Sequence, residues 1–512
     1  MGYDTDRFRH YRLDDYLRDI DLYGLGSTWE KIGEYLLDHG ESAPLLTVNR
    51  FGELYEIGLA ARDKERKKKR GQYYTPDDVA RVMSHWLDSV DGENLCDVGC
   101  GTGNLILAYL DFIGTKRART LLEERRVFLY DQDRTALLIA KTALQLKYGT
   151  DLEDNIRLVA GDFLNRDIHL PENAKTISNP PYAAIPRLDE NWEITEVIRT
   201  ARDFYAAFME KIVQQSRSSV IISPFSFISG TKFYPLRKVL NNFQGEIYAF
   251  DNVPGTIFRG RKYGVFNTNT SNSVRAAITV VRRERPRGFC VTPLIRFKSS
   301  ERKRLIDART LEEFLLPIRQ TITPDRPVFY KCFKELAPLL ERLEEKARNH
   351  TLQELITPSG SYALTIPTTC RYYTVASAQK MKRRGQVTLR FSSEESFYYA
   401  YCLFNSSFAY WHWRLYDGGI TYPKRLMTRI PSLFHLLTEK DHAFFKEIAA
   451  EMIGKEREYR ITKKNVGIQE NIQYPREYRD RINQRILEIL RLPIDASLFD
   501  PVHSHTALEV RV

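Results

Sequence analysis

The stretch Asn94-Leu95-Cys96-Asp97-Val98-Gly99-Cys100-Gly101-Thr102-Gly103 decides how this chain is read. Its first five residues form a short, mostly apolar run of strand type that stops at a glycine turn. Glycines at 99, 101 and 103 let the backbone turn tightly and come close to a ligand. The helical stretch 104–112 that follows would point its N-terminus at that ligand. The order is D-x-G-x-G-x-G, with a carboxylate leading, rather than the dinucleotide G-x-G-x-x-G. Such a carboxylate suits a ligand that carries an ammonium group rather than a pyrophosphate. No Lys-Ser/Thr pair follows, so a phosphate-cradling P-loop is excluded.

Outward from this turn, residues 90–285 alternate short apolar runs with helical stretches, the pattern of βαβ units and a parallel sheet. Strands are predicted at 127–130, 156–160, 176–178, 220–223 and 276–281, and a helix at 134–148. The strand ending at 130 leads into Asp131-Gln132-Asp133, and the next into Gly161-Asp162-Phe163. In an open α/β sheet, ligands bind outside the carboxyl ends of the strands. An acidic side chain after the second strand is placed to accept hydrogen bonds from two ribose hydroxyls. A carboxylate after the third can accept from an adenine amino group while the neighbouring phenyl ring packs on the purine. Each cluster alone is commonly a strand-end turn; three on successive strands point to a nucleoside-containing cofactor.

The fourth strand ends at Ser178-Asn179-Pro180-Pro181-Tyr182. Two prolines hold this corner extended and remove two N–H groups, leaving local carbonyls able to accept from outside. An exocyclic ring amine is a poor nucleophile because its lone pair is delocalised. The Asn179 side-chain oxygen and the Pro180 carbonyl could hold its two hydrogens and take up the positive charge that develops. Tyr182 offers a flat face on which a planar substrate could stack.

The ordered set resembles the gamma class of S-adenosylmethionine-dependent DNA adenine-N6 methyltransferases of restriction–modification type. That family's YTP motif is similar to Tyr74-Thr75-Pro76, its glycine loop to 97–103, its ribose acid to Asp131, its adenine-binding pair to Asp162-Phe163, and its NPPY to 179–182. Weaker matches are Asp203-Phe204-Tyr205 with Phe208, then 221–227, 233–240 and 253–260. The resemblance implies S-adenosyl-L-methionine as cofactor and no metal. It implies that Asp97, Gly99, Gly101, Asp131, Asp162, Phe163 and Pro181 form the cofactor site, with Thr75 at the methionine end. Asn179, Pro180 and Tyr182 would hold the target adenine, with Phe258 packing on the flipped base opposite Tyr182. A base inside a duplex cannot reach such a pocket, so base flipping is implied. The NPPY tetrapeptide also occurs in methyltransferases acting on release-factor glutamine or RNA guanine, which is the alternative reading.

Composition fits this frame. The chain has 512 residues, of which 43% are apolar and 28% charged, in the range of ordinary folded proteins. Over 1–280 there are 37 Lys and Arg against 39 Asp and Glu. Over 281–512 there are 40 against 27, so the net charges are −2 and +13. A positive excess confined to one half points to a polyanion, with nucleic acid first, because bound Lys and Arg release counterions condensed on phosphates. The expected organisation is α/β, with a helical N-terminal segment (1–70), a Rossmann-like methyltransferase sheet (71–285) and a basic α+β target-recognition domain (286–512). Basic residues 282–304 (Arg282, Arg283, Arg285, Arg287, Arg296, Lys298, Arg302, Lys303 and Arg304) suit phosphate contacts. Arg371-Tyr372-Tyr373 and 380–384 place further basic charge beside aromatics. Residues 403–407 resemble a recognition-domain helix, whereas Tyr410, Trp411 and Trp413 suit plain core packing. The partners expected are double-stranded DNA and a separate restriction endonuclease, not a membrane. Six cysteines without CxxC spacing, and a charged N-terminus, suit a cytoplasmic protein.

Overall fold

A computed structural model describes residues 74–258, 262–263, 266–267, 274–284, 286–419, 421–463 and 469–508. The helical segment expected at 1–70, Arg285, and the last two residues of 253–260 lie outside the described residues. The chain divides into two compact units. The first takes the described residues up to Cys290 together with Lys298–Glu313 and Pro317–Val328. The second takes Val291–Phe297, Phe314–Leu316 and the described residues from Phe329 onward.

The first unit is built on an eight-stranded sheet. Its strands are β1 (Asn94–Val98), β2 (Val127–Asp131), β3 (Arg157–Ala160), β4 (Ala174–Ser178), β5 (Ser218–Pro224), β6 (Gln244–Phe250), β7 (Ala276–Arg282) and β8 (Gly288–Val291), in the order 8-6-7-5-4-1-2-3. The pairs β2–β3, β1–β2, β1–β4 and β4–β5 are parallel. β7 runs antiparallel between β5 and β6. All but one residue of β5 is buried, the mark of a strand covered on both faces. The mixed α/β fold with a mostly parallel sheet is therefore as expected.

Register aligns the strand ends that carry the motifs. Val98 lies opposite Tyr130 on one side and Ser178 on the other, and Asp131 lies opposite Ala160. The Ser178 hydroxyl also donates to the Val98 carbonyl at 2.7 Å, tying the corner after β4 to the end of β1. Four helices frame these ends: α1 (Asp77–Asp88), α2 (Asn104–Ile113), α3 (Arg134–Tyr148) and α4 (Phe204–Gln215). Pro76 caps α1 with φ −60°, and Asp133 caps α3 by accepting from Thr135 and Ala136 N–H.

Two strands of this sheet escape the sequence reading. β6 reads Gln-Gly-Glu-Ile-Tyr-Ala-Phe, and its glycine and glutamate break the apolar run. The glycine is required there, since a Cβ at Gly245 would sit 1.8 Å from the Val280 carbonyl oxygen of the neighbouring strand. β8 is only four residues long.

The second unit packs one large core around α5 (Glu394–Asn405), α6 (Ser407–Tyr416), α7 (Glu439–Gly454) and α8 (Arg476–Ile489). Tyr410, Trp411 and Trp413 are buried in it, as plain core packing requires. Asn405 spends its side chain on the Ala376 backbone, accepting the N–H and donating to the carbonyl, both at 3.1 Å. The capping box of Thr438 and Asp441 opens α7. The helical reading of 438–492 needs correction, because a hairpin (Arg460–Lys463 with Gln469–Ile472) separates α7 from α8. Among the described residues, no helix is long and apolar enough to cross a membrane.

Candidate active site

A cavity of about 360 Å³ opens at the carboxyl ends of β1, β2, β3 and β4. Of the predicted residues, Thr75, Gly99, Gly101, Asp131, Asp162, Phe163, Asn179 and Pro181 line it. Gly99 and Gly101 have φ of +69° and +53°, a region L side chains rarely adopt, so the loop after β1 needs glycine at both. Gly103, with φ +83°, caps α2, and a Cβ there would meet the Ala140 Cβ at 2.9 Å.

Asp131 organises the loop. One carboxylate oxygen accepts the Gly101 N–H and the other accepts the Asp133 N–H, both at 2.8 Å. The Asp162 carboxylate is likewise held at both ends. It accepts the Leu164 N–H at 3.0 Å and the Trp192 indole N–H at 2.9 Å. Beside it the Phe163 ring packs at 5.2 Å from Phe208, with the Lys211 ammonium 5.0 Å from its centroid. Lys211 also donates to the Phe163 and Asn165 carbonyls at 2.7 Å each, and burial lowers its pKa.

Asp97 departs from the expectation. It does not line the cavity but lies fully buried beneath the glycine loop, accepting the Ile106 N–H of α2 at 3.1 Å. Burial raises its pKa to about 8. Among the described residues its other oxygen has no hydrogen-bond partner. This carboxylate ties β1 to α2 rather than facing a ligand.

At the corner after β4, Asn179 and Pro181 reach the cavity, whereas Pro180 and Tyr182 do not line it. The Asn179 amide donates to the Thr75 hydroxyl at 2.9 Å. The Tyr182 hydroxyl donates to the Ile222 carbonyl of β5 at 3.2 Å. Its ring meets Phe258 edge to face, with centroids 5.9 Å apart and planes at 66°. Phe258 is 1% exposed, so a planar group between the two rings requires them to separate. The chain beyond the corner is pinned to α4, since Phe204 N–H donates to the Ala183 carbonyl and Ile185 N–H to the Arg202 carbonyl, both at 2.9 Å.

Sequence reasoning gave no role to Asn104 or Trp192, whereas Phe204 and Phe208, quoted as weaker family matches, line the cavity. Asn104 is the first residue of α2, where its position directly after the glycine loop was the available signal. Trp192 lies in an irregular stretch and carries no local signal. Several basic residues credited with phosphate contacts are instead used internally. Arg282 pairs with Glu246 at 2.6 Å, and Arg283 donates to the Ser216 and Gln214 carbonyls. Arg296 is buried, donating to the Arg371 carbonyl and the Tyr410 hydroxyl at 2.7 Å each. Arg302 is also buried and grips Asp78. Arg287, Lys298, Lys303 and Arg304 remain exposed.

Residues 47–281 match the family described as N-6 DNA Methylase. Among curated proteins, the chain is 20% identical over 216 residues to the type I restriction enzyme EcoEI methylase subunit of Escherichia coli, covering 41% of this chain and 43% of that protein. It is 26% identical over 117 residues to the type I restriction enzyme MjaVII methylase subunit of Methanocaldococcus jannaschii, covering 23% of this chain and 19% of that protein. The chain thus spans less than half the length of these relatives. Among solved structures it is similar to the ATP-dependent type ISP restriction–modification enzyme LlaBIII bound to DNA. There the TM-score is 0.44 and the identity 11%, over 84% of this chain and 43% of that one.

Proposed function

We infer that this chain, a member of the N-6 DNA methylase family over residues 47–281, transfers a methyl group from S-adenosyl-L-methionine to N6 of an adenine in double-stranded DNA. The observation that carries this reading is the meeting of Asn179 and Pro181 with Asp131, Asp162 and Phe163 around one cavity at the strand ends.

The donor set suits the cofactor. The cavity offers two carboxylates already fixed by backbone and indole donors, an aromatic ring beside one of them, and a glycine loop open enough for close approach. Asp131 would hold the ribose, Asp162 and Phe163 the adenine, and the glycine loop with Thr75 the amino-acid end. When bound, S-adenosylmethionine supplies a methyl carbon made electrophilic by its sulfonium. The chain's own contribution is to the acceptor. The Asn179 side-chain oxygen and the Pro180 carbonyl accept the two hydrogens of the target amine, favour a pyramidal nitrogen and stabilise positive charge as it grows. Tyr182 and Phe258 hold the extruded base once their rings part, and that extrusion costs a few kcal/mol of unstacking.

The basic second half supplies DNA affinity, so the chain reads as the modification half of a restriction–modification system, working in the cytoplasm with a nuclease on another chain. Incubating the purified protein with methyl-labelled cofactor and plasmid DNA tests this, with an Asn179→Ala chain as control. N6-methyladenine at one short sequence is the expected product. Label on RNA or protein, or on no acceptor, would overturn it.

A further inference from the structure

We infer that Trp192 is a positioning residue for Asp162, holding its carboxylate at the angle that reads the amino group of the cofactor's adenine. This inference rests on the cofactor assignment made above. A lone carboxylate pivots readily, because its terminal torsion is broad and nearly two-fold. Here donors from two parts of the chain take both oxygens. One accepts the Leu164 N–H at 3.0 Å, two residues on, and the other accepts the Trp192 indole N–H at 2.9 Å, 30 residues on. An indole nitrogen can only donate, so the roles in this contact have a single assignment. With both ends held the carboxylate plane is fixed, and the lone pairs left over serve the cavity that Asp162 lines.

The backbone beside Asp162 is held without help from Trp192. Lys211 grips the Phe163 and Asn165 carbonyls, and the Asn165 N–H donates to the Asp162 carbonyl at 2.9 Å. What Trp192 adds is the angle of the side chain. Its own seat is firm. Trp192 is 6% exposed, its backbone N–H donates to the Asp189 carbonyl at 3.2 Å, and its ring meets Phe204 edge to face with centroids 5.9 Å apart. The residue before it is tied back to the Asp162 loop, since the Arg166 N–H donates to the Asn191 carbonyl at 3.0 Å. Phe204 lines the cavity and Trp192 does not, so the indole acts from behind the wall. An amine at purine position 6 donates to a carboxylate held in this way, whereas a carbonyl there would meet it oxygen to oxygen. The arrangement therefore selects a 6-amino purine over a 6-oxo one.

The test is calorimetry with two ligands, S-adenosylhomocysteine and its 6-oxo counterpart S-inosylhomocysteine. Wild type is compared with Trp192→Phe, which keeps an aromatic ring and loses the N–H, with Asp162→Ala, and with the double variant. Wild type should prefer the adenosyl ligand by roughly 10- to 100-fold, the worth of a hydrogen bond to a carboxylate. Trp192→Phe should lower adenosyl affinity by about tenfold and leave inosyl affinity within about twofold, so that the preference narrows. In the Asp162→Ala chain, adding Trp192→Phe should move neither affinity by more than about twofold, because the group it positions is gone. A loss of packing alone would weaken both ligands alike and would do so with or without Asp162. Equal wild-type affinities, an unchanged preference in Trp192→Phe, or a full tryptophan effect in the Asp162→Ala chain would overturn the inference. Should Trp192→Phe fail to fold, benzothienylalanine at 192, which exchanges only the indole N–H for sulfur, makes the same comparison. A wild-type protein that bound neither ligand would bring down the cofactor assignment itself, and this inference with it.

Discussion

The carboxylate of Asp131, the last residue of β2, accepts the backbone N–H of Gly101 in the loop after β1 at 2.8 Å. The side chain assigned to the ribose is therefore also the post that shapes the glycine loop. Asp131→Ala removes a charged acceptor from two backbone donors. Cofactor affinity measured by calorimetry should fall by roughly 10- to 100-fold, with DNA affinity within about threefold. Asp131→Asn, which keeps one acceptor oxygen, should fall between the two.

Tyr182 separates ring from hydroxyl. Tyr182→Phe loses the hydroxyl and its 3.2 Å bond to the Ile222 carbonyl and keeps the stacking face. Its kcat/KM on target DNA should stay within about threefold of wild type. Tyr182→Ala should lose roughly 10- to 100-fold, the worth of one stacked base. Placing 2-aminopurine at the target position would report the same order through weaker fluorescence in the alanine variant.

Three carboxyls in the first unit titrate high because burial disfavours their charge. Asp97 is raised to about 8, Glu210 to about 7 and Asp203 to about 6. Each holds its proton more tightly folded than unfolded, where such groups titrate near ~4. These three groups therefore bind more protons in the folded chain across the window from about pH 4 to about pH 8. Their contribution to stability is greatest at the acid end of that window and falls as pH rises through it. Asp97→Asn should remove its share of this pH dependence, so that the stability of the variant relative to wild type rises between about pH 5 and pH 8. A difference that stays constant over that range would refute the assignment.

Arg302 and Arg304 sit two residues apart with different work. Arg302 is 4% exposed, donates to both Asp78 oxygens at 2.6 and 2.8 Å, and holds the Thr256 and Ile257 carbonyls. Arg302→Ala should cost about 2–4 kcal/mol in denaturant unfolding, discounted because Asp78 is partly exposed. Arg304 is exposed, and Arg304→Ala should cost less than about 0.5 kcal/mol. If Arg304 contacts a phosphate, its loss lowers the slope of log affinity against log salt by about one. Arg302→Ala should leave that slope unchanged.

The sequence alone determined the strands that carry the motifs, their order of use and most of the cavity wall. Short apolar runs ending in Gly, Asp and Pro leave a local imprint, and a parallel sheet brings their carboxyl ends to one edge. Hence Asp131, Asp162, Phe163 and Asn179 were legible before any coordinates. Tertiary structure decided what depends on neighbours distant in the chain. It buried Asp97 under its own loop, joined Thr75 to Asn179 and Trp192 to Asp162, and inserted a glycine-bearing strand, β6, beside β7. It also turned Arg282, Arg296 and Arg302 inward. A charge count sees an arginine, but only packing shows whether a carboxylate or a phosphate is left to meet it.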